Sequence, residues 1–530
     1  MTIIRGGIRR DLGSIEGRFP VVEQTATRRR PRRSKDAGIA QLPWRRLRNP
    51  YRPVEVLSAD QIETIHDASL RVLEEQGMEF LDAEARDILK QAGADVESGG
   101  LRVRFDRGLV LESVAKVPPQ VTIHSRNPEH SLTFGGNHVN FGSVASAPNV
   151  SDLDRGRRPG TFDDYCNLLK LAQTFNVVHF LSGYPVEPAD LPPTTRHLDA
   201  LGAALIMTDK VIHGYSLGRE RIADAIELVC RARGIDKAQL AKEPGVFSIV
   251  NTNSPLRLDV PMLQGLMEMA RHGQPVCITP FTLSGAMAPA TIAGALTLQN
   301  AEALAGIAFI QMVAPGAPAI YGGFTSNVDM KTGAPAFGTP EYVRAAMAGG
   351  QLARRYNFPY RSSNACAANA VDGQAAYESQ MSIWGAVMGG VNMLLHGAGW
   401  MEGGLVASFE KFIVDVEMLQ MMSEFLQPIE VTEETLGLDA IAEVGPGGHF
   451  FGAAHTLARY DHAFYPPLLS DWRNFKTWRE AGALDTAQRA NKLWKRAVAD
   501  YEAPATDQAC KEAVEDFVER RKREGGVSQA

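Results

Sequence analysis

The stretch GGVNMLLHGAGWMEGG, Gly389 to Gly404, decides the fold. Its apolar run, residues 391–395, has the length of a buried strand, and the glycine-rich turn that follows carries His396, Trp400 and Glu402. One imidazole, one indole and one carboxylate therefore cluster just past a predicted strand end. A core strand with a tight turn would give the same pattern, so the interpretation depends on whether similar units recur along the chain.

Such units do recur. Eight short apolar runs occur from residue 139 onward, at residues 139–144, 177–183, 210–215, 246–251, 276–281, 319–324, 360–364 and 391–396. Seven helical stretches separate them, at residues 162–174, 194–207, 220–233, 259–271, 290–313, 340–356 and 374–388. Strands that alternate with helices predict right-handed βαβ units and a parallel sheet, and eight of them predict a (β/α)8 TIM barrel. The alternative is a doubly wound open sheet, but no strand is followed by GxGxxG or a P-loop.

The remaining sequence is arranged around this α/β barrel. We predict a disordered basic tail, an N-terminal accessory α/β segment, the barrel and a C-terminal helical and aromatic extension at residues 1–50, 51–135, 136–405 and 406–530. The accessory segment begins with a helix capped by Ser58 and continues with a second helix from Asp82. The extension begins with a long helix at residues 409–426 and ends with a charged amphipathic helix from Asp485.

Composition excludes several classes of protein. The 530 residues are 45% hydrophobic and 22% charged, and no apolar run approaches the ~20 residues of a membrane span, so a membrane protein is not expected. A net charge of −6 argues against a general nucleic-acid binder. The first residues lack the apolar core of a secretory signal, which predicts a cytoplasmic location. Five scattered cysteines without a CxxC pair indicate neither a disulfide framework nor a structural zinc site.

The carboxyl ends of the predicted strands are rich in aromatic and amide side chains. In a barrel the active site lies there, and the candidate substrate-binding residues are Phe141, Tyr184, His213, Tyr215, Asn251, Phe281, Tyr321, Phe324, Arg361, Asn364, His396 and Trp400. Carboxylates close to these ends are limited to Asp372, Glu378 and Glu402. Aromatic faces suit a permanent cation, with each ring contributing roughly 0.5 to 2 kcal/mol. For any single ring, packing between barrel layers is the alternative.

The same strand ends lack the usual catalytic sets. A hydrolase or aldolase barrel would place a nucleophilic lysine, paired carboxylates or a His/Asp metal set there. His213 and His396 have neither HxH nor HExxH spacing, so no metal site is expected, and Lys210 is the only lysine near a strand start. Two alternatives stay open: a metal- or lysine-dependent lyase or hydrolase, and a non-catalytic quaternary-amine binding protein.

After about residue 50 the sequence resembles the trimethylamine methyltransferase family of corrinoid-dependent methyltransferases. Six segments carry the resemblance: NTNSPL (251–256), TPFTLSGAMAPAT (279–291), YGGFTSNVDMKTGAPAFGTPE (321–341), DGQAAYES (372–379), HGAGWMEGGL (396–405) and GPGGHF (445–450). The resemblance implies a (β/α)8 barrel that presents a methylated amine to a cobalt corrinoid held by a separate protein. We therefore expect no tightly bound cofactor, no nucleic-acid or membrane partner, and a homo-oligomer.

One departure from the family indicates the substrate. Family members that use trimethylamine carry pyrrolysine at the barrel mouth, near residues 364–374 here, and this chain has only the standard twenty amino acids. It thus resembles the branch acting on quaternary amines, with glycine betaine the best-known substrate and dimethylglycine the product. We expect no catalytic acid or base, because a quaternary amine leaves as a neutral tertiary amine. Arg361 would bind the betaine carboxylate through two hydrogen bonds and His396 through one. The alternatives are a salt bridge from Arg361 to Asp372 or Glu378, and a core histidine.

Overall fold

A curled, mostly parallel sheet forms the centre of the fold in the computed structural model, which describes residues 38–528. Its seven parallel strands are β1 (His138–Ser143), β2 (Ile212–His213), β3 (Val246–Thr252), β4 (Val276–Pro280), β5 (Ala319–Gly322), β6 (Tyr360–Ser363) and β7 (Met393–Ala398). An eighth strand, Leu47–Arg48, pairs antiparallel with β1. The predicted α/β fold with a parallel sheet is confirmed.

The predicted strand at residues 177–183 is reduced to a single pairing residue. Phe180 forms parallel bridges to Gly142 of β1 on one side and to Val211, next to β2, on the other. Leu181 N–H donates to the Val211 carbonyl at 2.9 Å, and Ser143 N–H donates to the Phe180 carbonyl at 3.0 Å. This segment therefore connects β1 to β2 by backbone hydrogen bonds.

Helices follow the strands where the sequence predicts them. They are α1 (Phe162–Thr174), α2 (Arg196–Met207), α3 (Arg219–Arg233), α4 (Val260–Arg271), α5 (Ile292–Val313), α6 (Pro340–Arg355), α7 (Gly373–Met388) and, after β7, α8 (Phe409–Phe425). Side-chain caps define several of the starts, with Thr161, Asp259 and Thr339 accepting from backbone N–H groups of the first turn.

Helix α5 corrects one expectation from the sequence. Its 22 residues are long and apolar enough to cross a membrane by length and composition, whereas the sequence analysis found no such run. In the fold, 78% of its apolar window is buried within the protein. The buried Gln299, Asn300 and Glu302 interrupt its apolar surface and bond to other parts of the chain. The helix thus has the environment of a core helix.

A β-hairpin closes the amino end of the curled sheet. Its strands, Gln120–Ile123 and Leu132–Gly135, pair antiparallel and direct Val121, Ile123 and Phe134 into one buried cluster. The hairpin also contributes Leu132, and the strands of the sheet and the segments that pair with them contribute Phe180, Val211, Phe247, Cys277, Ile320, Met393 and Leu395. Burial of these side chains is the main stabilising contribution here, at about 1.5 to 3 kcal/mol for each large apolar group. The floor of the sheet is therefore packed with apolar side chains.

The segment before this hairpin contains helices Ala59–Arg71, Ala83–Gln91 and Arg107–Val114, a π-helical turn Val72–Gln76, and the strands Met78–Phe80, Asp95–Val96 and Arg102–Arg104. Arg257–Leu258, which follows β3 in the chain, pairs with Met78–Phe80 and completes a small sheet. Ser58 forms the capping box of the first helix, and Asp82 caps the second, so both predicted starts are confirmed. The division of the chain into four parts stays a prediction, and residues 1–37 of the predicted tail lie outside the described residues.

Two short sheets border the carboxyl ends of the strands. One contains Asn149–Asp152, Gly156–Pro159, Trp400–Met401 and Val406–Ser408, and the other contains Leu283–Ser284, Ser326–Val328 and Pro335–Ala336. Beyond α8 the described chain forms short helices at Glu433–Leu436, Leu438–Val444, Ala454–Leu457 and Phe475–Glu480, then Thr486–Ala499 and Gln508–Arg523. The last two correct the single helix predicted from Asp485, because the chain breaks around Pro504.

Candidate functional site

A cavity of about 470 Å³ lies at the carboxyl ends of the strands. Eight of the twelve predicted site residues line it, namely His213, Tyr215, Asn251, Phe281, Phe324, Arg361, His396 and Trp400. They come from the six strands β2 to β7 or from the segments that directly follow these strands, so the curled sheet brings together residues nearly 190 positions apart in sequence. None of the residues lining the cavity is an aspartate or a glutamate, and Arg361 is their one permanent charge.

Two predicted residues point away from this cavity because side chains alternate across a strand. Tyr321 follows the inward-facing Ile320, and its hydroxyl donates to Asn300 of α5 at 3.1 Å. Phe141 is fully buried and stacks on His179, the neighbour of the inward-facing Phe180, with ring centroids 5.6 Å apart. Both predicted positions are therefore corrected to the outer, helix-facing side of the sheet.

Two further residues lie close to the cavity without lining it. Tyr184 packs against Tyr215 with ring centroids 4.5 Å apart and lines a separate cavity of about 140 Å³. Asn364 is fully buried, and its Nδ2 donates to the Gly397 carbonyl at 3.0 Å. Asn364 therefore supports the bulged end of β7, next to His396.

A second cavity, a groove at the opposite end of the sheet, contains none of the predicted substrate-binding residues, and Lys210 lies outside the cavity described above. The groove, of about 530 Å³, lies at the amino ends of the strands and contains none of the twelve predicted residues. Lys210 is buried away from the cavity, where its Nζ donates to the backbone carbonyls of Phe175 and Val178 at 2.9 and 2.6 Å. No lysine is among the residues that line the cavity, which leaves a lysine-dependent reaction without its nucleophile at this site.

Aromatic rings form one wall of the cavity. Phe281 and Phe324 have ring centroids 5.0 Å apart, and Trp400 meets Phe324 edge-on at 6.2 Å. His396 stacks on Trp400, with centroids 5.0 Å apart and an interplanar angle of 18°. The quadrupoles of such rings present negative faces, so this wall favours a positively charged group.

Arg361 is the unusual group in this wall. It is only 3% exposed, its Nη1 donates to the Gly323 carbonyl at 3.2 Å, and its Nε has no hydrogen-bond partner among the described residues. The guanidinium carbon lies 5.1 Å from the centroid of the Phe324 ring. Burial lowers the pKa of Arg361 from its usual value. A buried guanidinium with an unused N–H is a site for an anion.

The salt bridges considered for Arg361 are not formed. Asp372 caps α7, accepting from the backbone N–H of Gln374 at 2.8 Å. Glu378 accepts from the backbone N–H groups of Ala367 and Ala368 at 2.7 and 3.0 Å. Asp372 is therefore occupied by the first turn of α7, and Glu378 by the loop before α7. Among the described residues no carboxylate pairs with the Arg361 guanidinium, which stays available to a ligand.

His396 occupies a β-bulge in strand β7. The pairing register between β7 and β1 shifts between Leu394 and Ala398, and His396 has a φ of 55°, uncommon for a residue other than glycine. Its Nδ1 lies 3.1 Å from Ser363 Oγ. Burial, and then the nearby Arg361 charge, hold the pKa of His396 well below its usual value. The imidazole at the cavity wall is therefore neutral.

His213 faces the cavity with a donor that has no partner. The Ile249 N–H donates to His213 Nε2 at 3.1 Å, so the neutral ring has its proton on Nδ1. Nδ1 has no hydrogen-bond partner among the described residues, and burial lowers the pKa of His213 to about 3. Nearby, the Tyr215 hydroxyl lies 2.7 Å from Ser146 Oγ at the rim. The wall around His213 thus offers polar groups without a net charge.

The depressed pKa of His213 predicts a pH dependence of stability. A histidine with a lowered pKa in the folded state stabilises the fold above its unfolded value of 6.5, and this stability is lost as the pH falls toward about 3. We expect His213→Gln to reduce this loss by up to about 1.4 kcal/mol per pH unit. Chemical denaturation at pH 7.5, 6.5 and 5.5 measures it. The exposed-residue variant His462→Gln is the control, and equal slopes in wild type and His213→Gln would contradict the buried neutral ring.

Glu302 is the main site residue that the sequence analysis missed. It is fully buried in α5 and accepts from the Leu256 N–H and from Ser254 Oγ, both at 2.7 Å, and from Thr252. Burial raises its pKa. Thr252 and Ser254 line the cavity, so Glu302 positions this part of the wall from behind. The available signal was a carboxylate within an otherwise apolar helix.

Comparison with known proteins places the chain in a family. The family model described as trimethylamine methyltransferase (MTTB) matches residues 24–526. A glycine betaine methyltransferase from Desulfitobacterium hafniense (strain Y51) is 37% identical over 472 residues, which cover 89% of this chain and 98% of that protein. The trimethylamine methyltransferase MttB2 from Methanosarcina mazei is 27% identical over 490 residues, covering 89% of this chain and 97% of that protein.

Among solved structures, the monomethylamine methyltransferase MtmB from Methanosarcina barkeri aligns with a TM-score of 0.45 at 10% identity, covering 89% of this chain and 94% of that one. The match to the family model spans nearly the whole sequence, and the 37% identical relative is covered almost completely. The chain therefore belongs to the trimethylamine methyltransferase family and is a methyltransferase.

Proposed function

We propose that the chain moves a methyl group from a quaternary amine that bears a carboxylate to the Co(I) corrinoid of a partner protein. Glycine betaine is the preferred substrate in this proposal, and dimethylglycine is the product. The single observation that supports a zwitterionic substrate is the buried Arg361, which has an unused N–H and no acidic partner among the described residues. The 37% identity to a glycine betaine methyltransferase supports the same substrate.

The charge of Arg361 discriminates between amines. A trimethylammonium group without a carboxylate would meet a like charge, and two unit charges about 5 Å apart repel by about 3 kcal/mol at an effective dielectric constant of about 20. A zwitterion places its carboxylate on the guanidinium, and its cationic end then faces the rings of Phe281, Trp400 and Tyr215. His396 contributes a second polar contact to the carboxylate. The aromatic and polar parts of the cavity thus match the two ends of a betaine.

The reaction needs no proton transfer from the protein. A methyl carbon is displaced from nitrogen, the C–N electron pair stays on nitrogen, and the amine leaves neutral. The Co(I) corrinoid supplies the electron pair that forms the new bond to carbon. The neutral His213 and His396, together with the absence of aspartate and glutamate from the lining residues, are compatible with this chemistry.

Alignment is then the contribution of the protein to the rate. Because the positive charge on nitrogen disappears during transfer, cation binding by the rings favours the bound substrate over the transition state. Holding the methyl group in line with its acceptor contributes instead, by up to about 7 to 11 kcal/mol in well-oriented systems. In this proposal Arg361 and Trp400 fix the two ends of the substrate, which leaves one methyl group directed toward the mouth.

The mouth of the cavity supports a protein-bound acceptor. Ser146, Asn251 and Asn253 line the cavity and are exposed, and Leu405, next to the lining residue Gly404, is exposed as well. A cavity of about 470 Å³ suits a small molecule, whereas a corrinoid with its side chains is larger than this space. We therefore propose that the corrinoid stays on its partner protein, which docks over this rim.

We also propose that the curled sheet is a (β/α)8 barrel and that the protein is cytoplasmic. The barrel is supported by the two bridges of Phe180, which connect β1 to β2. Because β7 pairs with β1 on the other side, the strand pairings then form a closed ring. The burial of α5 is compatible with a helix that belongs to the protein core and not to a membrane.

Methyl transfer to cobalt tests the function directly. The chain is mixed with a Co(I) corrinoid protein and, separately, with glycine betaine, carnitine, choline and trimethylamine, and the conversion of Co(I) to methylated Co(III) is followed by absorbance. We expect transfer from glycine betaine and none from trimethylamine. Transfer from trimethylamine but not from glycine betaine would overturn the assigned substrate. Binding without transfer under all conditions would indicate an amine-binding protein.

A further inference from the structure

The arm, which we define as residues 428–464, has an unusually apolar surface. It follows α8 and contains ten large apolar side chains that are exposed: Ile429, Val431, Leu436, Leu438, Ile441, Phe450, Phe451, Leu457, Tyr460 and Phe464. Ile429 and Phe464 are each 87% exposed, and Phe451 is 85% exposed. So dense a group of exposed apolar side chains is typical of an interaction surface in a folded protein.

The arm bonds only to itself within residues 38–528. Every side-chain hydrogen bond of the arm joins two of its own residues, as Arg459 joins Glu434 and Thr432 joins Thr435. Shortly after the arm, the chain is again hydrogen-bonded to α8, where Glu417 accepts from the backbone N–H groups of Leu468 and Leu469 at 2.8 and 3.0 Å. The arm therefore begins and ends close to α8, and the apolar side chains named above are exposed to solvent.

A second apolar surface lies on α7 and α8. The α7–α8 face consists of Tyr51, Tyr377, Met381, Met421 and Phe425, all of which are exposed. Tyr377 and Met381 are four residues apart in α7, as are Met421 and Phe425 in α8, so each pair shares one side of its helix. The Phe425 ring centroid lies 5.1 Å from that of Tyr51. Trp384 of α7 packs against Phe425 of α8 with ring centroids 4.7 Å apart, which joins the apolar side chains of the two helices.

The charges around the two surfaces have opposite signs. The arm contains six carboxylates and one arginine. Next to Tyr51 in the α7–α8 face, Arg48 and Arg52 are exposed, and neither forms an ion pair within the described residues. Opposite charges at the edge of an apolar contact favour one orientation and accelerate association. Glu424, next to Phe425, is paired with Arg45 at 2.7 Å, and the exposed Arg46, Arg48 and Arg52 outnumber the exposed Glu55 beside them. The acidic, apolar arm therefore complements this apolar face, which has an excess of arginines at its edge.

We infer that the arm of one copy covers the α7–α8 face of a second copy. Each copy has both surfaces, so a twofold arrangement satisfies both in one reciprocal exchange. The inference concerns self-association and does not depend on the proposed substrate or methyl acceptor.

Sedimentation velocity of the full chain at micromolar concentration tests this arrangement. We expect the wild type to be a dimer or a larger even assembly. Phe451→Glu in the arm and Met381→Glu in the face would each weaken self-association about tenfold or more, because a carboxylate would be buried without a partner. Leu101→Glu, which replaces an exposed apolar residue outside both surfaces, is the matched control and should not change the assembly.

Mixing the two variants makes the test specific. The Phe451→Glu chain keeps an intact face and the Met381→Glu chain keeps an intact arm, so a mixture should regain one of the two contacts and associate more tightly than either variant alone. Circular dichroism verifies that each variant is folded. A monomeric wild type, or an assembly unchanged by both variants, would overturn the inference. So would variants that keep the assembly but lose methyl transfer, since the arm would then contact the corrinoid protein.

Discussion

Arg361→Met should raise the dissociation constant for glycine betaine by about a hundredfold or more. The substitution removes the charged hydrogen bonds to the carboxylate, which contribute roughly 1.5 to 3 kcal/mol each. It keeps an unbranched, flexible side chain without the charge, and Met packs against an aromatic ring such as Phe324. Titration calorimetry with the full chain measures the change.

Choline, which lacks the carboxylate, provides the decisive comparison for this variant. Because Arg361→Met removes the like charge from the cavity, choline should bind more tightly to the variant than to the wild type. His396→Ala is the companion variant and should weaken glycine betaine binding about tenfold, as expected for one hydrogen bond. Equal weakening of choline and glycine betaine by Arg361→Met would contradict the assignment of Arg361 to the carboxylate.

Asp415→Ala should cost about 3 to 5 kcal/mol of stability, because it leaves a buried cation without its partner. Lys411 and Asp415, one turn apart in α8, are fully buried and form an ion pair with Nζ and Oδ1 2.5 Å apart. The other carboxylate oxygen accepts from the Gly399 N–H at 2.8 Å, and Lys411 Nζ also donates to Ser379 Oγ at 2.7 Å. The variant would therefore loosen the turn between His396 and Trp400 as well.

Denaturant unfolding of three variants distinguishes the loss of a buried ion pair from the loss of an exposed ion pair and from apolar replacement of the buried pair. Asp500→Ala breaks an exposed ion pair with Arg496 and should change stability by about 0.5 kcal/mol or less. The double variant Lys411→Met/Asp415→Leu should recover most of the stability lost in Asp415→Ala, since apolar replacement of a buried pair is often neutral. A loss below about 1 kcal/mol in Asp415→Ala would contradict the structural role of the pair.

The order of strands and helices could be predicted from the sequence because each unit repeats the same local signals. Apolar runs of five or six residues mark β3, β4, β5 and β7, and capping residues such as Thr339 mark helix starts. The segment at Phe180 was predicted as a full strand and forms two bridges only. The number of residues of this segment that pair depends on the neighbouring strands β1 and β2, and the sequence of the segment alone does not determine it.

The site could be predicted only in part because proximity to a strand end does not determine which way a side chain points. Tyr321 and Phe141 lie on the outer side of the sheet, and a one-residue offset decides this. His396 faces the cavity because of a bulge, which depends on the pairing between β7 and β1. Glu302 was missed because its partners lie almost fifty residues earlier in the chain. The direction of these side chains depends on strand pairing between distant parts of the chain, which local periodicity does not reveal.

The hairpin that closes the amino end of the sheet has a kinetic consequence. Val121, Ile123, Leu132 and Phe134 pack the space beneath the cavity, so a small molecule reaches Arg361 through the mouth at the opposite end. A methyl acceptor docked over that mouth would close the same passage. Substrate then has to bind before the acceptor, and the demethylated amine has to wait for the acceptor to depart. With the acceptor docked as proposed, the apolar floor would impose a compulsory order on the catalytic cycle, in which the amine binds first and its product leaves last.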